Sequence, residues 1–154
     1  MLYHLGDFSL YLHAPCVTDA SMAPVGKSSY YVLAPVPHLG NANINWDDVG
    51  PIYTKKILNY LEKYAIPDLN KNLEVLHTLT PFGFRDIMNS HMGSAFSVEP
   101  ILTQSAWFRP HNRDDVISNM YITGAGTHPG AGLPGVIGAA KATAGVIRDD
   151  FSID

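Results

Sequence analysis

A chain of 154 residues is long enough for one domain with a real core and short for two of comfortable size. With 46% hydrophobic and 16% charged residues, wholesale disorder is excluded, and a formal charge of -4 with no basic run argues against a nucleic-acid binder. Cys16 is the single cysteine, which excludes an internal disulfide and a Cys-based zinc site and makes a cytoplasmic location the simpler expectation.

The opening MLYHLGDFSLYLHAP lacks the basic start of a secretory signal and carries Asp7 early. Residues Phe8 to Val17 set Phe8, Leu10 and Leu12 against Ser9, Tyr11 and His13, the period of a half-buried strand. After a turn-rich link with Pro24 and Gly26, Ser29 to Leu39 reads as a second strand ended by Pro35 and Pro37, antiparallel to the first. The period then changes. Asp47 or Asp48 is expected to cap a helix with Pro51 in its first turn, Tyr53, Ile57, Tyr60, Leu61 and Tyr64 on one face, and Pro67 as its stop. Leu73 to Pro81 reads as a third strand, and PFGFRDIMN as a short helix. GSAFSVEPILTQSAWFRPHNRDD has no clean period and is expected to be irregular.

NMYITGAG then predicts a short apolar strand, and PGVIGAAKATAGVIRDDF a helix with Ile137, Ala140, Ala144, Ile147 and Phe151 on one face. The uncharged run from Val116 to Ala140 is broken by Asn119, glycines and prolines, so it is not a membrane-spanning helix. A lone strand, loop and helix at the end of an antiparallel pattern is odd, because a parallel strand needs a parallel neighbour.

The loop between them, GAGTHPGAGLPGV (124–136), contains Gly130, Gly132 and Gly135 in a G-x-G-x-x-G spacing. The dinucleotide fingerprint needs that turn directly after a strand, and a second strand whose acidic residue meets the ribose. Here the predicted strand ends near Gly124, and Asp149 and Asp150 close a helix instead, so a self-contained Rossmann unit fails. Pro134 suits a first helical turn, and the helix goes on to carry Gly135, Gly138 and Gly145. Helical glycine costs up to ~1 kcal/mol against alanine, so close approach is needed: to a planar, phosphorylated ligand at a helix start, or to another backbone. Both readings stay open on the residues alone.

The string YITGAGTHPGAGLPGVIGAAKATAGVI closely resembles the C-terminal segment of the bacterial and fungal type of carotenoid phytoene desaturases, FAD-dependent members of the amine-oxidase-like flavoprotein superfamily. The resemblance runs upstream through GSAFSVEPILTQSAWFRPHNRD and DFSLYLHAPCVTDASMAPVGKSSYYVLAPVPHLG and covers nearly the whole chain. It implies an α/β class (α+β within this chain), the C-terminal part of a Rossmann-like FAD/NAD(P)-binding flavoprotein. Residues 1–115 would end the substrate-binding domain with its antiparallel sheet. Residues 116–154 would supply the last parallel strand, glycine loop and helix of the FAD domain. Gly124, Gly126, Thr127, His128, Gly130, Gly132, Leu133, Pro134, Gly135 and Val136 would then pass along FAD. Gly126 to His128 would lie near the pyrophosphate and ribityl, and Gly132 to Val136 near the isoalloxazine. The implied activity is desaturation of phytoene or a related carotenoid precursor, with peripheral membrane contact from the cytoplasm. The N-terminal fingerprint of the family is absent here, which implies a piece that needs its other half; a non-catalytic fragment, or a sister activity (carotenoid isomerase, diapophytoene desaturase, retinol saturase), is the alternative. A homo-oligomer stays open.

No catalytic residue is assigned. His128 reads as a general base or, the favoured reading, a hydrogen-bonding structural residue. Arg109, His111, Asn112 and Arg113 read either as a solvated turn with a salt bridge to Asp114 or Asp115 or as contacts to FAD or the mouth of a substrate tunnel. Phe96, Trp107 and Phe108 are candidate linings for a polyene, whose binding energy is almost all apolar burial, although such aromatics are more often core. Glu99 would be functional if buried and is more commonly exposed. The seven histidines lack metal-ligand spacing, so no metal is expected.

Overall fold

A computed structural model of the chain describes residues 9–99 and 101–152, which fall into two compact units divided between Thr80 and Pro81. In the first unit, strands β1 (Tyr11–His13) and β2 (Tyr31–Leu33) pair antiparallel in the register Tyr11↔Leu33, Leu12↔Val32 and His13↔Tyr31. The pairing is as expected, but both strands are far shorter than 8–17 and 29–39, and Phe8 lies outside the described residues. Proline is the physical reason. Pro15 starts a helical turn, α1 (Pro15–Thr18), at the N-terminal position where its missing N–H costs nothing. Pro35 and Pro37 likewise cannot donate to a ladder. A 3-10 turn at Ala20–Met22 follows, with the Asp19 carboxylate accepting the Ser21 N–H at 2.9 Å.

Helix α2 (Trp46–Tyr64) begins earlier than expected. Its cap is Asn45, whose Oδ1 accepts the Asp47 N–H at 3.1 Å, while Asp47 and Asp48 lie in the first turn, where acidic groups favour the helix dipole. Pro51 therefore sits inside the helix rather than at its start. Trp46, Gly50 and Leu61 are buried, and Tyr53 and Ile57 half-buried. Tyr60 and Tyr64 point outward instead and pair with each other, ring centroids 4.7 Å apart. The helix closes as the Leu61 carbonyl accepts the N–H groups of Ala65 and Ile66 at 2.8 and 2.7 Å. A short helix, α3 (Leu69–Asn72), is tied back by Glu62, which accepts the Asn70 N–H at 2.9 Å and its side-chain amide at 2.7 Å. The strand expected over 73–81 does not form. Residues 73–80 run without a ladder among the described residues and lie along α2, where Thr54, Leu58, Leu76 and Thr78 help enclose a largely apolar groove of about 450 Å³. β propensity alone makes no strand where no edge is offered.

The second unit opens with α4 (Pro81–Asp86), the short helix expected there. The described residues of 93–115 are irregular as anticipated, with 3-10 turns at Leu102–Gln104 and Ala106–Phe108 after one at His91–Gly93. The strand expected at 119–124 is reduced to one antiparallel bridge, Arg113↔Tyr121, and no parallel strand exists among the described residues. Helix α5 (Leu133–Phe151) is present at full length. Its buried residues are Ala139 and Thr143, whereas Ile137 is 68% and Phe151 59% exposed, so the helix turns its small residues inward and not the face expected from its larger ones. No helix among the described residues is long and apolar enough to cross a membrane.

Candidate functional site

The glycine-rich loop lacks strand partners, so its backbone groups must be satisfied by other means. The segment 109–114 provides several, for the loop and for the chain that leads into it. Asn112 O accepts the Ile122 N–H at 3.0 Å, the Met120 carbonyl accepts the Asp114 N–H at 3.0 Å, and Pro110 O accepts the His128 N–H at 3.0 Å. From below, the buried Asn112 amide donates to Ile122 O at 3.3 Å and His128 O at 3.2 Å, and reaches Thr127 Oγ1 at 3.5 Å. Thr127 is 3% exposed; its hydroxyl donates to Gly124 O at 3.0 Å and its N–H to the same carbonyl at 3.2 Å, closing a tight turn. His128 precedes Pro129 across a cis peptide, and its Nδ1 lies 3.0 Å from Ala106 O. That is the bonding role favoured for it from the sequence.

The loop glycines divide into two kinds. A Cβ on Gly135 would sit 2.5 Å from Gly130 O, and one on Gly126 would sit 2.8 Å from Ser97 Oγ, so these positions let backbone and side chains close in. Gly124 and Gly132 have positive φ and nothing within 4 Å of a built Cβ, so they face open space. Gly132 begins α5 without a side-chain cap, and Pro134 lies in the first turn as expected. The first backbone bond of the helix runs from the Val136 N–H to Gly132 O at 2.9 Å, which leaves the Leu133 and Gly135 N–H groups without an intrahelical partner. Beside them Leu133 is 82% exposed. Open backbone, free N–H groups at the positive end of a 19-residue helix and an exposed apolar side chain form a surface suited to a flat group that carries negative charge or carbonyl oxygens.

The structure brings the loop residues together with Arg109, Asn112 and His128. It does not gather Phe96, Trp107 and Phe108 into a closed lining: all three are exposed, and Trp107 packs edge-on against His111 at 4.9 Å and His128 at 6.0 Å. The salt bridge to Asp114 or Asp115 expected of a solvated WFRPHNRD turn does not form. Arg109 is buried and bonds carbonyls, and Arg113 forms a two-pronged pair with Asp150 of α5. Asp114 instead accepts the Ile117 and Val116 N–H groups at 2.7 and 2.9 Å, which hold its carboxyl below its ordinary value. Glu99 is exposed, the commoner case anticipated for it. Sequence reasoning did not single out Tyr121, whose hydroxyl donates to Asp150 at 2.7 Å and is pushed up chiefly by that bond, nor Thr143, whose hydroxyl lies 3.2 Å from Ile122 O. A lone threonine in a Gly/Ala-rich helix was the available signal for Thr143.

Residues 53–148 match the family of flavin containing amine oxidoreductases, and the chain belongs to that family. It is 65% identical over 94% of its length to a phytoene desaturase (lycopene-forming) of Pantoea ananas, of which it covers 30%. It is also 44% identical to a neurosporene-forming phytoene desaturase of Cereibacter sphaeroides, over 93% of this chain and 28% of the relative. A 4,4'-diapophytoene desaturase of Staphylococcus haemolyticus is 40% identical over 94% of this chain and 30% of its own length. The chain thus spans under a third of each of these relatives.

Proposed function

We propose that this chain is part of an FAD-dependent carotenoid desaturase that acts on phytoene or a closely related precursor. The observation that carries the reading is the 65% identity to a lycopene-forming phytoene desaturase across nearly the whole chain, glycine loop included. The geometry of that loop supports it, because open glycine backbone and free N–H groups at a helix start suit a flavin and its phosphates.

In this reading residues 1–115 belong to the substrate-binding domain and 116–154 to the FAD domain. Gly126, Thr127 and His128 would lie near the pyrophosphate and ribityl and Gly132 to Val136 near the isoalloxazine, with Gly124 and Gly130 also passing along FAD. Thr127 and His128 contribute main chain there, since their side chains are committed to Gly124 O and Ala106 O. A flavin held there would supply the redox chemistry, taking a hydride from one C–H bond of the substrate while the neighbouring carbon loses a proton to the medium, so that the C–C single bond between them becomes double. The residues of this chain bind, orient and exclude water. The N–H groups of Leu133 and Gly135 would be free to donate to oxygen atoms of the flavin, and Leu133 with Phe96, Trp107 and Phe108 would offer apolar surface to a polyene. Membrane association of the complete protein follows from the insolubility of such a substrate.

Two measurements test this. The purified protein is examined for a flavin absorption spectrum and then incubated with phytoene in liposomes, with products separated by chromatography. Bound flavin and desaturated C40 products are expected. Turnover only of the C30 precursor would instead favour the diapophytoene reading suggested by the 40% identical relative. Absence of flavin under all conditions, including addition of the remaining two thirds of a relative in trans, would overturn the reading.

A further inference from the structure

The side chains buried in the second unit include a formal charge. Arg109 is 4% exposed, yet its bonds go to neutral carbonyls: one terminal N–H group donates to Ala125 O at 2.8 Å and the other to Val98 O at 3.3 Å. Among the described residues the ion pairs are made by Lys27 with Glu74, Arg85 with Asp86, and Arg113 with Asp150. The nearby acids are engaged elsewhere or in solvent. Asp114 accepts backbone N–H groups, Asp150 accepts from Arg113 and Tyr121, and Glu99 is exposed. A desolvated guanidinium without a counter-ion is costly, and carbonyl dipoles offset that cost only in part.

The position of this charge matters. A Cβ built on Gly130 would lie 3.3 Å from Arg109 Nε, and one on Gly135 would lie 2.5 Å from Gly130 O. The guanidinium, Gly130 and the first turn of α5 therefore succeed one another in contact. That turn is the positive end of a helix dipole and has no side-chain cap. Two positive sources converge on one loop, and each makes the other less favourable unless an anion joins them.

We propose that Arg109 is a positioning and specificity-determining residue: its fixed charge beneath the loop is completed by the phosphates of the ligand, so the loop selects a phosphate-bearing flavin over the same ring system without phosphate. The inference rests on the flavin reading above. A purely structural Arg109, tying residues 98 and 125 to the loop, predicts equal weakening of all flavins when it is removed. A charge role predicts unequal weakening.

The test is fluorescence titration of the full-length protein with FAD and with riboflavin, which lacks phosphate. Arg109→Gln should weaken FAD by about tenfold relative to riboflavin, the order expected for unit charges about 12 Å apart at an effective dielectric near 20. Arg109→Lys should keep most of the native preference. Arg109→His provides a comparison within one folded protein: its FAD-to-riboflavin preference should rise as pH falls from 8 to 5.5, while that of the native protein stays flat. Equal losses for both flavins in Arg109→Gln, or a preference in Arg109→His that ignores pH, would overturn the inference and leave the flavin reading intact. Failure of the native protein to bind either flavin would overturn both.

Discussion

Helices α2 and α5 are each 19 residues long, and they bury themselves by opposite means. α2 turns large side chains inward: Trp46 is 5% and Leu61 4% exposed, and burying a leucine is worth about 1.5–3 kcal/mol. α5 turns in Ala139 and Thr143 and leaves Leu133 and Ile137 outside. Its contacts include the close backbone approach of Gly135 to Gly130, the packing of Gly138 on the Pro129 ring, and the Thr143 bond to Ile122. The first unit is thus held by apolar burial. The larger buried side chains of the second are polar, namely Arg109, Asn112, Thr127 and Thr143, so hydrogen bonds carry more of its organisation. A helix with apolar residues on both sides shows its inward face only where small residues permit contact.

The contrast breaks most readily at Gly135. Gly135→Ala places a methyl group 2.5 Å from Gly130 O, a backbone atom that cannot swing aside. It should destabilise the second unit by about 2–3 kcal/mol and lower its melting temperature by roughly 10 °C or more. An unchanged thermal melt would show that the close approach is not what holds α5. At the other helix, Asn45→Ala removes the bond accepted from the Asp47 N–H and should cost about 1 kcal/mol, read as a shift in denaturant midpoint at unchanged slope.

Gly145→Ala sharpens the comparison from the other direction. Nothing lies within 4 Å of a Cβ there, so the substitution should gain up to ~1 kcal/mol of helix propensity. Gly50→Ala in α2 gains the same propensity but meets Thr80 Cγ2 at 3.1 Å, so its net effect should lie near zero. If the two behave alike, local crowding does not govern these sites.

The smallest effect is expected from acid at the end of α2. Bonds from the Asn70 side chain and N–H hold the Glu62 carboxyl below its ordinary value of 4.5. A carboxyl lowered on folding contributes its stability above the unfolded value and loses it as pH falls through the folded one. The α2–α3 corner should therefore loosen below about pH 4.5, seen as a titrating amide shift of Asn70 with little change in the rest of the first unit. An Asn70 shift that stays flat to pH 3 would contradict it.

Several features were legible from the residues alone. Proline and alternation placed the antiparallel pair, helical spacing placed α2, and glycine with proline placed the loop and the first turn of α5. Family membership was legible too, because a long glycine-rich string is specific even where its G-x-G-x-x-G spacing is not. The strands expected at 73–81 and 119–124 were misread because strand propensity says nothing about an available edge. The cap of α2 went to Asn45 rather than Asp47 or Asp48 because the Asn45 side chain, two residues before Asp47, reaches the free Asp47 N–H.

By itself the sequence determined where the chain turns, where it coils and which flavoprotein family it belongs to, since these depend on local backbone limits and on a long specific string. Only the tertiary structure decided which face of α5 is inward, that Arg113 pairs with Asp150, and that Arg109 and Asn112 lie buried beneath the loop. Those outcomes depend on which distant carbonyl or carboxylate comes within hydrogen-bond reach, and spacing along the chain does not carry that distance.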